Sequence, residues 1–243
     1  MRLRWVMLLL IGWLAAPASA HVVIDAAFSE QMLREVQALS ASAVTGPPAQ
    51  RAAALVDLGQ TLTRAIDLLN QDLAAHDGQL GVLSQALTRQ LRIRGMQPVY
   101  SPALERYLAP TAPYEQALAL AADGARAADA RFRLLAARFY DSFATDPLQP
   151  LDPDWPELSR QIVEVEAFLA AYPDHPGRIE AEFILALEHA RAGRLAPEAS
   201  RARHARAAEE LLHGFEDRDP YGSRTVTLRQ AIEALPADAA SRS

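Results

Sequence analysis

The sequence contains no cysteine and no lysine, and it is sparing with aromatic residues (7%) and glycine (11 of 243 residues). Without cysteine there is no disulfide staple, no thiolate metal ligand, no cysteine nucleophile and no amino-terminal cysteine to carry a lipid. All 24 basic residues are arginine, as GC-rich coding produces. Scarce glycine and aromatics beside abundant alanine favour helix over sheet. The formal net charge of -6 and the pI near 5.5 argue against a nucleic-acid binder. Several motifs are missing too: no H-E-x-x-H, no G-x-S-x-G, no Walker loop and no dinucleotide fingerprint. Only one histidine, His213, follows a glutamate, Glu210, by three positions, so the two Glu-x-x-His pairs of a di-iron bundle are not present. With 50% hydrophobic and 22% charged residues, the chain has the balance of a globular protein.

What is present begins with an address. Residues 1 to 20 place Arg2 and Arg4 before an apolar run from Trp5 to Ala16, then Ala18-Ser19-Ala20. This is the pattern of a secretory signal peptide cleaved after Ala20. The run is too short for a membrane span, which takes about 20 apolar residues, and Pro17 interrupts its end. The expected product is periplasmic, begins at His21 and has no transmembrane anchor.

Helical periodicity then dominates. Phe28, Met32, Val36 and Leu39 share one face. Leu55, Leu58, Leu62, Ile66, Leu69 and Leu73 step by three and four, and Leu80, Leu83, Leu87 and Leu91 follow. Short turns at Thr45–Pro48 and Asp77-Gly78 divide these helices. Pro98, Pro102, Pro110 and Pro113 bar a long helix between 95 and 113, where Ser101-Pro102 marks the start of a short one. Phe132, Leu135, Phe139 and Phe143 share a further helical face and are expected in a core. An amino-terminal helical bundle is therefore expected over 21–144, followed by a Pro-rich linker over 145–156. That segment lacks the glycine turn and late glutamate of a calcium loop, and Trp155 at its end is expected to pack against the next helix.

Helix pairs are expected over 157–236, with a flexible tail over 237–243, so the fold class is all-α: a bundle followed by α-solenoid-like helix pairs. Phe168-Leu169-Ala170-Ala171-Tyr172-Pro173-Asp174 is echoed 43 residues later at Leu211–Asp217. Together with the following A-E-F-I-L-A-L-E-H-A-R-A-G, these residues resemble tetratricopeptide repeats of bacterial envelope proteins, matching at Phe168, Tyr172, Pro173, Pro176, Ala181, Ala186 and Gly193. The 43-residue offset exceeds the usual period of about 34. The resemblance implies a non-enzymatic scaffold that binds another envelope protein. Separately, the run V-V-I-D-A-A-F-S-E-Q-M-L-R-E-V-Q-A-L at 22–39 is similar to the opening of helical periplasmic components of type IV secretion systems.

No catalytic residue and no cofactor are expected. Arg191, Arg194, Arg201, Arg203 and Arg206, with His189 and His204, form a local basic cluster beside Glu198, Glu209 and Glu210. Pairing along a solvated face is the expectation for the cluster, and a surface position for His189. Arg201, Arg203 and Arg206 are the candidate partner-binding residues, since each guanidinium can fork two hydrogen bonds onto a carboxylate. The alternative is a copper-binding protein, in which the free amine and imidazole of an amino-terminal His21 chelate the metal together.

Overall fold

The computed structural model describes residues 26–121, 123–142, 154–219 and 221–235. Among these are nine helices: α1 (Ala26–Ser42), α2 (Pro48–Ala75), α3 (Val82–Ile93), α4 (Ala112–Leu120), α5 (Ala125–Asp141), α6 (Trp155–Ala171), α7 (Arg178–Leu195), α8 (Glu198–Arg218) and α9 (Ser223–Glu233). One two-residue hairpin, β1 (Tyr100–Ser101) and β2 (Arg106–Tyr107), interrupts them. The chain is all-α, and its helices divide between two compact units. Described residues up to Ala137 form the first; Arg138–Ser142, at the end of α5, joins everything from Asp154 onward in the second. The expected signal segment, His21, most of the expected linker and the expected tail lie outside the described residues.

The first unit is organised by α2. Its 28 residues make a rod about 42 Å long, and its whole ladder, Leu55, Leu58, Leu62, Ile66, Leu69 and Leu73, is buried. One stretch of the rod packs Leu58, Leu62, Ile66 and Leu69 against Met32 and Val36 of α1 and Leu87 and Leu91 of α3. An earlier stretch packs Ala52, Leu55 and Val56 against Tyr114 and Ala117 of α4 and Ala130 and Leu134 of α5. Pro48 starts the rod at a position where the missing N–H is no loss. Asp77 and Gly78, both left-handed, end it, and the Asp72 carboxylate accepts the Gly81 N–H at 2.7 Å to set the entry into α3. On α3 the core stripe is Ser84, Leu87, Thr88 and Leu91, so Leu83 leaves the expected ladder and is 42% exposed.

Between α3 and α4 the structure corrects the expectation of a short helix at Ser101. The Ser101 hydroxyl does accept the Leu104 N–H, as a cap should (3.3 Å). Glu105 then turns left-handed (φ 51°), which ends any helix after one turn, and the chain returns as a hairpin pairing Tyr100 with Tyr107. Asn70 of α2 supplies what a third strand would. Its side chain donates to the Tyr107 carbonyl (2.9 Å) and accepts from the Tyr107 N–H (2.7 Å).

In the second unit α7 packs against α6, α8 and α9, and α8 against α9. The Asp154 carboxylate caps α6 by accepting the Glu157 N–H at 2.9 Å. α6 buries Leu158, Ile162, Val165 and Phe168, whereas α8 buries Ala205, Ala208, Leu212 and Phe215. α6 and α8 end alike: the Tyr172 N–H reaches the Phe168 carbonyl, and the Asp219 N–H reaches the Phe215 carbonyl. The structural counterpart of Phe168 is thus Phe215, one helical turn beyond the Leu211 that the sequence echo pairs with it.

Two glycines mark places where elements approach closely. A Cβ on Gly193 of α7 would stand 3.2 Å from Leu235, just past α9. A Cβ on Gly59 of α2 would stand 2.6 Å from the ring of Tyr114, which is 1% exposed. Replacing an exposed helical glycine by alanine normally stabilises by up to about 1 kcal/mol. Gly59→Ala should instead destabilise by about 1–3 kcal/mol, because the buried ring has to be displaced. Urea unfolding measures it; an unchanged or raised midpoint would mean that Tyr114 does not seal α4 onto α2.

Candidate functional site

The residues with unusual chemistry converge on α7. Thirteen of its 18 residues are buried, on every side of the helix. Four of the thirteen are ionisable: Glu180, Glu188, His189 and Arg191. A helix surrounded by neighbours has no water for such groups, so each must find a partner in the protein.

One side of α7 is held by ion pairs. Arg191, 2% exposed, donates to both carboxylate oxygens of Glu188 (3.2 Å each), one turn earlier, and to the Ser142 hydroxyl at 3.0 Å. Burial pushes the Glu188 carboxyl up to about 7 against the opposing pull of Arg191. Nearer the start of α7, Glu180 accepts from the Tyr140 hydroxyl and from the Arg224 guanidinium. Burial, followed by the negative charge of Glu180, drives the Tyr140 phenol well above its usual range.

On the opposite side of α7 His189 meets His204 of α8. Their Nδ1 atoms are 2.9 Å apart, and the residues are 6% and 4% exposed. His204 Nε2 faces the Arg203 guanidinium at 3.4 Å, and His189 Nε2 faces a Glu166 carboxylate oxygen at 3.8 Å. Because arginine only donates, His204 Nε2 accepts. Its Nδ1 then carries the proton donated to His189, whose own proton points from Nε2 toward Glu166. The Trp155 ring closes the site edge-on against His204, with centroids 5.4 Å apart. Burial lowers the His189 pKa to about 4, helped by His204 and Arg203; burial and then Arg203 lower that of His204. Both imidazoles are neutral at pH 7.

These positions revise the sequence reading of the basic cluster. His189 and His204 are interior residues rather than surface ones, and Arg191 belongs to the core. Glu182, which stands seven residues from His189, pairs with Arg178 (2.8 Å) and Arg218 (2.9 Å) instead. Arg201, Arg203 and Arg206 are all exposed. At 100° per residue Arg203 and Arg206 share the outward face of α8, while Arg201 projects from the core side at the first turn. There its Nε donates to the Ala196 carbonyl at 2.8 Å. None of the three is ion-paired among the described residues, so the expected pairing with Glu198, Glu209 and Glu210 does not form.

Among the described residues no three of His, Cys, Asp and Glu converge to hold a metal ion, and no helix is long and apolar enough to cross a membrane. His21, the candidate copper ligand, lies outside the described residues. No family model, curated protein or solved structure matches the chain.

The buried imidazoles make stability depend on acid with a definite sign. The His189 pKa falls from 6.5 to about 4 on folding, corresponding to about 3 kcal/mol that is present above pH 6.5 and lost as pH falls toward 4. Glu188 acts oppositely: with its pKa raised from 4.5 to about 7, its contribution is present below pH 4.5 and lost as pH rises through 7. Thermal melts at pH 7.5 and 5.0 should therefore show a smaller acid loss in H189Q/H204Q than in the natural chain. Equal losses would mean that the imidazoles are not held neutral.

Proposed function

We propose that the chain is a non-enzymatic helical-repeat scaffold of the periplasm, and that its second unit binds another envelope protein. The observation that carries this reading is the contrast between the two sides of α8. Toward α7, the groups with shifted proton affinity face each other in the interior, where a substrate has no access. Outward, Arg203 and Arg206 stand exposed without carboxylate partners, in a chain whose net charge is negative. Guanidinium–carboxylate contacts with a partner can be bidentate, and complementary charge steers the encounter and fixes its register.

The likeness to tetratricopeptide repeats supports the same reading. The Phe168 ring meets Tyr172 at a tilt (5.3 Å between centroids) and His175 edge-on (5.2 Å) at the end of α6. Ala181 and Ala186 are 1% and 0% exposed, and Gly193 faces Leu235. These small residues let helices approach closely, as stacked helix pairs require. Stacked pairs bind along surfaces made by successive repeats, and the outward row of α8 is one such surface. Export by the amino-terminal segment would bring the scaffold to its partner's compartment.

Charge reversal tests the proposal. R203E/R206E should lose capture of the envelope partner by the tagged chain while its melting temperature stays nearly unchanged, since exposed charges contribute only about 0–1 kcal/mol each. R201E, on the other side of the helix, should capture normally. Capture by R203E/R206E at physiological salt would remove these arginines from the interface.

A further inference from the structure

The first unit carries a surface that the scaffold reading does not use. Of the ten large hydrophobic residues that stand exposed among the described residues, five fall between positions 82 and 100: Val82 (81%), Leu83 (42%), Ile93 (70%), Val99 (55%) and Tyr100 (41%). The sequence from Gln79 to Leu104 has no acidic residue and holds Arg89, Arg92 and Arg94. A stretch with charge of one sign and exposed aliphatics is out of place on an acidic protein.

Helix geometry places two of these residues, Val82 and Ile93, on one ridge. With the α3 core stripe at Ser84, Leu87, Thr88 and Leu91, the positions directly opposite are Val82, Ala86, Arg89 and Ile93, spaced by four, three and four. The ridge runs about 16 Å from Val82 to Ile93, and Val99 and Tyr100 follow it in sequence at the start of the hairpin. Arg89 lies on the ridge, and Arg92 is exposed on its flank. Asp77 and Glu105 bracket the stretch in sequence, and Asp72 is occupied by the Gly81 N–H.

We propose that this face of α3, with the start of the hairpin, seats peripherally on an anionic lipid surface. Several short aliphatic side chains on a convex helix, beside arginines and a tyrosine at one end, match the headgroup–acyl boundary. There the apolar chains enter the hydrocarbon edge, the guanidiniums meet phosphates and tyrosine sits at headgroup level. Because the whole chain is negative, an anionic surface repels most of it and admits this face selectively, so attachment is oriented and weakens with salt.

The absence of cysteine makes the test direct. Ile93→Cys and, as a reference in the second unit, Val163→Cys (59% exposed) each give the full chain one thiol for an environment-sensitive fluorophore. The labelled chains are mixed with phosphatidylglycerol vesicles carrying brominated acyl chains. The label at position 93 should be quenched, that at 163 should not, and phosphatidylcholine vesicles should quench neither. Adding R89Q/R92Q should weaken the response at 93 by roughly tenfold or more, as should high salt. Attachment through the apolar run at the amino terminus alone would leave both labels alike. That result would overturn the proposal, as would no quenching at 93, equal quenching by phosphatidylcholine, or a response at 93 to polyglutamate but not to vesicles.

Discussion

A helix without a solvent face must satisfy every polar side chain it carries from its neighbours, and α7 is such a helix. Its burial on every side fixes much else in the second unit. Arg191 needs Glu188 and Ser142; Glu180 needs Tyr140 and Arg224; His189 needs His204. The partners outside α7 come from three neighbouring segments: the end of α5 with Tyr140 and Ser142, the start of α9 with Arg224, and the first half of α8 with His204. Turning α7 by one residue, 100°, would leave the Arg191–Glu188 pair intact on the helix but carry Arg191 away from Ser142, Glu180 from Tyr140 and Arg224, and His189 from His204 together. Leaving one buried charge unpaired costs about 3–5 kcal/mol. The small residues of α7 let its neighbours come close without choosing a rotation, and its polar residues choose one.

The first unit solves the same problem by apolar means. α2 carries a leucine ladder, and the two clusters along it are filled with aliphatic side chains. Among its described residues one acid, Asp67, is strongly shifted, and it is partly buried. Burial raises it to about 7, opposed by Arg133 and Arg106. The polar contacts that matter there are local and directional: Asp72 sets the entry to α3, and Asn70 clamps the hairpin. Neither unit has a disulfide, so packing and these few contacts carry the stability.

Much of this was legible in the sequence, and what was not has physical causes. The α2 ladder could be read because a helix with one buried side shows a clean period, and every residue named in it is buried. α7 has apolar and polar residues on all sides and therefore no period to show, so nothing marked Arg191 or His189 as interior. Both looked like members of a basic surface cluster because spacing along a chain does not say how many neighbours a helix has. The alanines and Gly193 were the available signal: small residues on several sides of one helix imply several close neighbours. The hairpin was missed for another reason. Ser101 caps as expected, but the competing partner, Asn70, is more than thirty residues away, and no local rule contains it.

Position also decides how shifted proton affinities should be understood. A catalytic acid or base needs both a tuned pKa and contact with its substrate. In the second unit the tuning and the contact come apart. Burial is the largest cause of the shifts at Glu188, His189 and His204, and the same burial closes those groups off by packing α6, α8 and α9 around α7. What remains accessible is the end of the imidazole chain at Arg203, whose cation touches His204 from outside. A carboxylate arriving at Arg203 would offset that positive charge, one of the forces holding His204 neutral, so binding at the surface of α8 and proton affinity inside it are linked through a single guanidinium.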